Sequence, residues 1–155
     1  MNARSICAAL CGAALALTAS ADTGGEQARL SPADITSLDK DGAGPGTSGI
    51  AGIRTTVLFG DPSQPGPYTI EIRVPPHTRI AAHTHRDRRS AVVVSGSWYF
   101  GYGDALTDDR LKLLPAGSFY SEPAEDSHFA LTRDEPAVVY ITGVGPTDTR
   151  FTKVH

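Results

Sequence analysis

The sequence has little cysteine, no cluster of basic residues and no long apolar run beyond its N-terminus. The 155-residue chain contains two cysteines, Cys7 and Cys11, and none follows Asp22. A disulfide framework and a thiol nucleophile are therefore excluded from the chain after that residue. The formal net charge is −3. This balance argues against a nucleic-acid partner, because phosphate binding requires a high density of Lys and Arg.

Residues 1–21 have the pattern of a secretory signal peptide. Arg4 is followed by an apolar run over residues 6–17 and by Ala19-Ser20-Ala21, which fits an A-x-A cleavage site. The apolar run is much shorter than the roughly 20 residues that a membrane span needs. We therefore predict an exported protein, periplasmic or secreted, that is cleaved after Ala21 and has no membrane span in its mature form.

The chain that follows is predicted to be all-β. Residues 22–49 are polar and glycine-rich and are interpreted as a leader, with a short helical turn at 31–34, whereas 50–155 form one barrel domain. Apolar and polar residues alternate over 68–74, as in a half-buried strand. The other predicted strands are 53–59, 79–84, 90–94, 97–102, 111–114, 119–122, 127–132 and 137–142. The segment 94–97 is interpreted as a tight hairpin between two of them.

Histidines provide the strongest chemical signal. His83-Thr84-His85 lies on a predicted strand, where residues i and i+2 project from the same face. Two imidazoles held side by side are suited to bind a metal. His128 lies on a second, distant strand, and a barrel can bring the two strands together across its interior.

The first of two motifs resembles one found in the cupin superfamily of small β-barrels, G-x5-H-x-H-x3-E-x6-G. In this chain His77 is followed at the same spacing by His83, His85, Arg89 and Gly96. His77 replaces the first glycine, and Arg89 replaces the glutamate.

The second motif of that superfamily is G-x5-P-x-G-x2-H-x3-N. Gly117, Pro123 and His128 keep its register, whereas Glu125 and Thr132 replace the second glycine and the asparagine. These two positions, like His77, belong to turns or support the site. The resemblance covers about residues 68–142 and implies a double-stranded β-helix (cupin or jelly-roll) barrel and a homodimer. The stretches SGSWYFGYGD, LPAGSFY and ITGVGPTDTRF are similar to a group of small exported bacterial cupins.

The resemblance implies a divalent-metal centre at His83, His85 and His128, with Zn, Fe, Mn, Ni or Cu as the candidate ion. The departure at Arg89 leaves three hypotheses open, because a guanidinium has no lone pair to give a metal. In the first, three histidines hold the metal and Arg89 binds a small anionic organic molecule beside it. In the second, Asp87 or Glu122 is the fourth ligand, and Asp87 is favoured because it shares parity with His85. In the third, the site is a metal-free ligand pocket.

The sequence thus predicts an exported protein that binds a small molecule beside a three-histidine centre. If the protein is an enzyme, we expect oxygenase-type or isomerase-type chemistry. The alternative is a non-catalytic cupin that binds a small molecule or a metal. In the most extreme version of this alternative, the histidine centre is vestigial and binds no metal. Neither the substrate nor the reaction follows from the sequence, because this barrel supports many activities.

Overall fold

The computed structural model describes residues 27–38, 44 and 46–152. The predicted signal peptide, its cleavage site and His155 lie outside the described residues. Among the residues that are described, no helix has both the length and the apolar character needed to cross a membrane.

A short helix precedes the strands. Helix α1 spans Pro32–Ser37 and begins at a capping box, in which the Ser31 hydroxyl accepts from the Asp34 N–H and the Asp34 carboxylate accepts from the Ser31 N–H. Ile35 is its buried residue. The helical turn predicted at 31–34 is therefore confirmed and extends to Ser37.

Within the part of the chain that the structure describes, nine strands and one 3-10 turn (Asp108–Arg110) follow, and the strands confirm the all-β prediction. The alternation predicted over 68–74 places Tyr68, Ile70, Ile72 and Val74 in the core. The strands are β1 Arg54–Phe59, β2 Gly66–Val74, β3 Arg79–Thr84, β4 Arg89–Tyr102, β5 Lys112–Pro115, β6 Phe119–Glu122, β7 His128–Leu131, β8 Ala137–Gly145 and β9 Arg150–Phe151.

Strand β4 connects the two halves of a curled antiparallel sheet. Its first half pairs with β8 and β6, and its second half pairs with β5 and β7. The strand order is β1-β2-β8-β4-β7-β3-β9, with β5 and β6 both added alongside β4. The inner faces of both halves form one core, to which Val93, Trp98 and Phe100 of β4 contribute.

The hairpin predicted at 94–97 is wrong, because β4 runs through it as one bent strand. The register with β8 shifts between Val93 and Ser95, which is the mark of a β-bulge. Gly96 has φ 75, and a Cβ there would lie 1.8 Å from the Pro136 carbonyl oxygen. The Ser-Gly pair therefore bends the strand from one half of the sheet to the other, and each half of β4 pairs with more distant strands.

Candidate metal centre

The structure brings the three predicted histidines together. His83 on β3 lies directly opposite His128 on β7, so they form a cross-strand pair on adjacent strands and do not face each other across the barrel. His85 follows β3 by one residue, and its ring centroid lies 4.9 Å from that of His83 and 5.1 Å from that of His128. One ring nitrogen from each histidine lies within 4.8 Å of the other two.

Aromatic side chains enclose this cluster. All three histidines are buried, the Phe100 ring stacks against His128, and the Phe151 ring lies 5.6 Å from that of His83. Phe151 belongs to β9, which pairs with β3 at His83. Sequence analysis missed β9 because a two-residue strand is too short to show alternation.

Backbone carbonyls fix the orientation of each ring. A carbonyl oxygen only accepts, so each Nδ1 carries the hydrogen and each Nε2 keeps its lone pair for another partner. His128 Nε2 is buried without a hydrogen-bond partner among the described residues. Such carbonyl support is typical of metal-binding histidines, and no side-chain pattern in the sequence could have revealed it. The distances are His83 Nδ1 to Ala81 O, 2.7 Å; His85 Nδ1 to Asp148 O, 2.5 Å; and His128 Nδ1 to Asp126 O, 3.1 Å.

Burial keeps the imidazoles neutral. It lowers the pKa of His83 to about 4, and the repulsion between protonated His83 and protonated His128 contributes further. Burial and the nearby Arg89 charge lower the pKa of His85 to about 3, and burial lowers the pKa of His128. At neutral pH all three rings are therefore unprotonated at Nε2, which is the state that binds a metal.

Arg89 points into the cluster from the position at which it replaces the glutamate of the first motif. It is the first residue of β4 and is 3% exposed. Its Nε donates to Glu122 Oε2 at 2.5 Å, its Nη1 to the Gly46 carbonyl at 2.7 Å and its Nη2 to His85 Nε2 at 2.5 Å. The guanidinium therefore occupies the lone pair through which His85 would bind a metal.

Glu122 is the carboxylate that lies beside the histidines. It stands directly opposite Arg89 in the β4–β6 register. Its Oε2 lies 3.9 Å from His85 Nε2 and its Oε1 lies 3.8 Å from His128 Nε2. Burial alone would raise its pKa, but the positive charge of Arg89, followed by the interactions with His128 and His85, lowers it to about 2. The site thus contains an ionised acid.

The preference for Asp87 over Glu122 as the acid nearest the histidines is wrong. Asp87 is buried, but its carboxylate accepts from the Tyr68 hydroxyl at 2.8 Å and from the Thr147 hydroxyl at 2.6 Å. The parity argument failed because β3 ends at Thr84 and β4 begins at Arg89, so the intervening turn interrupts the alternation.

The other departures from the two motifs are accommodated in turns. His77 has φ 55 and Glu125 has φ 65, which is the region of backbone space that favours glycine. The His77 side chain is 72% exposed, so it is not a buried ligand. Thr132 Oγ1 accepts from the Thr78 N–H and donates to the Pro75 carbonyl, so it supports a turn.

A small cavity of about 30 Å³, partly open to solvent, adjoins the cluster. Its polar end is formed by His83, His128, Arg89 and Glu122, and the rest of its wall is mainly apolar and aromatic. Residues 46–48 of the predicted leader also line it, which sequence analysis did not anticipate. The apolar and aromatic lining residues are Ile53, Ile72, Ile80, Trp98, Phe100, Tyr120, Ala130 and Ile141.

Comparisons with known proteins identify the fold. No family model and no curated protein matches the chain. Among solved structures, an RmlC-like cupin from Shewanella frigidimarina is 17% identical, with a TM-score of 0.54 over 70% of this chain and 85% of that one. The polyketide cyclase RemF from Streptomyces resistomycificus is 16% identical, with a TM-score of 0.66 over 83% and 87%. A sugar phosphate isomerase from a cupin superfamily, from Silicibacter pomeroyi, is 19% identical, with a TM-score of 0.55 over 72% and 74%.

Likeness at this level of identity establishes the fold, and proteins named as enzymes are among those that share it. The named cupins have the same kind of barrel as the two histidine motifs predict. This protein therefore has the fold of the cupin superfamily.

Proposed function

We propose that this protein binds one divalent transition metal through His83, His85 and His128 and takes a small organic molecule into the adjoining cavity. The observation that carries the proposal is the convergence of three buried ring nitrogens within 4.8 Å of one another. The buried, unpartnered Nε2 of His128 supports it, because an orphaned buried acceptor is costly unless something binds there.

The residues present fit such an ion provided that Arg89 releases His85. The bound metal would supply Lewis-acid chemistry at the coordination positions that the protein leaves open. The chain's own contributions are the carbonyls that orient the rings, the negative charge of Glu122 and an apolar wall that restricts water. For an imidazole site loaded outside the cytoplasm, the Irving–Williams order favours Cu²⁺ and Zn²⁺ over Fe²⁺.

Arg89 is the residue proposed to hold an anionic ligand. Its contacts are with Glu122, Gly46 and His85, so a ligand carboxylate that pairs with it through two nitrogens would replace one of these acceptors. Glu122 is charged and His85 belongs to the histidine cluster, whereas the Gly46 carbonyl is uncharged and lies in the segment that lines the cavity. Its replacement would open that side of the cavity to the ligand.

A second candidate is a non-catalytic, metal-free protein that binds a small molecule. The hydrogen bond from Arg89 Nη2 to His85 Nε2 favours it, because the guanidinium occupies the place of a metal cation. In this case the cavity binds its ligand through Arg89 and the unpartnered nitrogen of His128.

We also propose export through residues 1–21 and a homodimer. Exposed apolar side chains on the outer faces of β4 and β6, which include Val92, Val94 and Phe119, support an association between copies. Light scattering of the purified protein tests the dimer, and N-terminal sequencing of the exported protein tests cleavage after Ala21.

Elemental analysis tests the metal centre. The protein is purified without chelators or an affinity tag, beside His128→Ala and the control His77→Ala. We expect about one equivalent of a transition metal in the wild type and in His77→Ala, and almost none in His128→Ala. Absence of metal from all three proteins after reconstitution with Zn²⁺, Fe²⁺, Mn²⁺, Ni²⁺ and Cu²⁺ would favour the metal-free candidate.

A further inference from the structure

We propose that Glu122 supplies the acidic ligand of the metal centre and that Arg89 competes with the metal for His85. The carboxylate of the site then comes from β6 instead of β4, from the residue directly opposite Arg89. This inference rests on the proposed metal centre and assigns two further residues to it.

The position of Glu122 supports its role as a ligand. Its two oxygens lie 3.8 Å from His128 Nε2 and 3.9 Å from His85 Nε2. Metal–ligand bonds of about 2.0–2.2 Å place two ligand atoms of one ion about 3–3.5 Å apart. Glu122 Oε1 and His128 Nε2 therefore need to approach by only a few tenths of an ångström to share an ion, whereas the imidazole nitrogens, which lie within 4.8 Å of one another, must also move closer together.

The two oxygens of Glu122 have different surroundings. Nε and Nη2 of Arg89 both contact Oε2. Oε1 faces His128 Nε2, the nitrogen that lacks a hydrogen-bond partner. Oε1 is therefore the oxygen available to a metal, while Arg89 can hold the carboxylate in place through Oε2.

Arg89 has contacts that a metal ion would make. It binds the carboxylate of Glu122 and the lone pair of His85, and its charge neutralises that of Glu122. A metal therefore enters only after Nη2 leaves His85, and the cationic neighbour also lowers the affinity by charge repulsion. Nε and Nη1 can keep their bonds to Glu122 and Gly46 during this change.

Variants that lack the Arg89 guanidinium separate the role of Glu122 as a metal ligand from the role of Arg89 as a competitor for His85. Metal-free wild type, Arg89→Met and Arg89→Met/Glu122→Gln are titrated with Co²⁺ and followed by calorimetry and visible absorption. The two variants both lack the guanidinium and differ only at Glu122. We expect Arg89→Met to bind Co²⁺ at least about tenfold more tightly than wild type, and the double variant to bind at least about tenfold more weakly than Arg89→Met with an altered visible spectrum.

A control variant tests whether the loss of any nearby acid changes the affinity, and a second pair of variants is used if the first pair does not fold. Arg89→Met/Glu125→Gln, which changes an exposed acid, should bind Co²⁺ like Arg89→Met. Near-UV circular dichroism checks folding. If the methionine variants do not fold, Arg89→Gln and Arg89→Gln/Glu122→Gln repeat the test with a neutral side chain that can still donate to residue 122.

The outcomes distinguish this inference from the proposed centre. Equal affinities of Arg89→Met and the double variant would overturn the role of Glu122 as a ligand and leave the three-histidine centre intact. An Arg89→Met affinity no higher than that of wild type would overturn the competition by Arg89. Failure of all these proteins to bind Co²⁺, and also Zn²⁺, Fe²⁺, Mn²⁺, Ni²⁺ and Cu²⁺ in the same calorimetric titration, would overturn the proposed centre itself.

Discussion

Two arginine–glutamate pairs occupy opposite sides of the sheet, and they show how differently the same chemical pair can act. Arg73 and Glu71 lie two residues apart on β2, with hydrogen bonds of 2.7 and 3.0 Å between them. Arg89 and Glu122 lie opposite each other on β4 and β6, inside the barrel. The two glutamates are both buried, with Glu71 1% and Glu122 4% exposed, but the Arg73 side chain is 38% exposed whereas that of Arg89 is 3% exposed.

Access to water accounts for the difference. Arg73 lies at the surface, so water can solvate its charge if the pair is broken. Arg89 and Glu122 have no such access, and among the described residues neither has another fully charged group of opposite sign in direct contact with it. A buried ion pair adds little net stability, but the loss of one partner leaves an uncompensated buried charge. The contacts between Arg89 and Glu122 therefore stay the same unless a metal cation or a ligand enters the site.

The largest expected effect comes from breaking the inner pair on one side. Glu122→Ala should lower the free energy of unfolding by about 3–5 kcal/mol, because Arg89 is left buried without its counter-charge. Urea denaturation followed by tryptophan fluorescence and circular dichroism measures the change. The matched control Glu71→Ala, which removes the acid of the outer pair, should have a smaller effect because Arg73 can turn to solvent. Equal losses from the two variants would show that burial does not distinguish the pairs.

Acid should destabilise the metal-free protein through the inner cluster. Burial lowers the pKa of His83 to about 4 and of His85 to about 3, below their ordinary value of 6.5. The unfolded chain therefore binds more protons below that value, so this stability is fully present above about pH 6.5 and decreases as pH falls toward 4. Glu122, whose charge is favoured by Arg89, has a pKa of about 2 against an ordinary 4.5, so its contribution is present above 4.5 and is lost as pH falls toward 2.

Urea midpoints of the chelator-treated protein between about pH 7.5 and about pH 4.5 measure this dependence. His128→Gln should reduce the slope below pH 6.5 because one buried imidazole is gone, whereas His77→Ala should leave the slope unchanged. A stability that stays constant across the range would contradict the assignment of neutral, buried histidines.

The smallest expected effect comes from the arginine of the outer pair. Arg73→Lys should lower the free energy of unfolding by about 1 kcal/mol or less, because lysine keeps a positive charge beside the buried Glu71 carboxylate and a partly exposed ion pair contributes little. The same denaturation assay measures it, with added salt as a check, since salt should reduce the difference between wild type and variant. A loss as large as that of Glu122→Ala would mean that Glu71 needs its arginine as strictly as Glu122 does.

Periodicity and spacing carried much of the fold and part of the site. The bounds of β3 and β6 agree with the predicted strands, and the alternation over 68–74 places the expected residues in the core. The two motifs predicted that His83, His85 and His128 come together with Arg89 beside them. Each of these properties depends on residues that are close in sequence or on a motif whose spacing the family shares.

The errors arose where a contact joins distant segments. The Ser-Gly pair at 95–96 has the composition of a hairpin, and only the pairing of β4 with β8 and β7 makes it a bend. The acid beside the histidines is Glu122 and not Asp87, because the β4–β6 register sets Glu122 opposite Arg89. The carbonyl of Gly46 binds Arg89 from 43 residues away, and a backbone atom has no signature in the sequence.

The sequence by itself determined the strand periodicity, because side-chain direction along a strand is a local property, and it supplied three imidazoles and one guanidinium at the spacing of the two motifs. The tertiary structure decided which acid accompanies them, which carbonyls orient the rings and which lone pair the guanidinium occupies. These follow from register and loop packing, and such contacts depend on how segments far apart in the chain meet in the folded barrel.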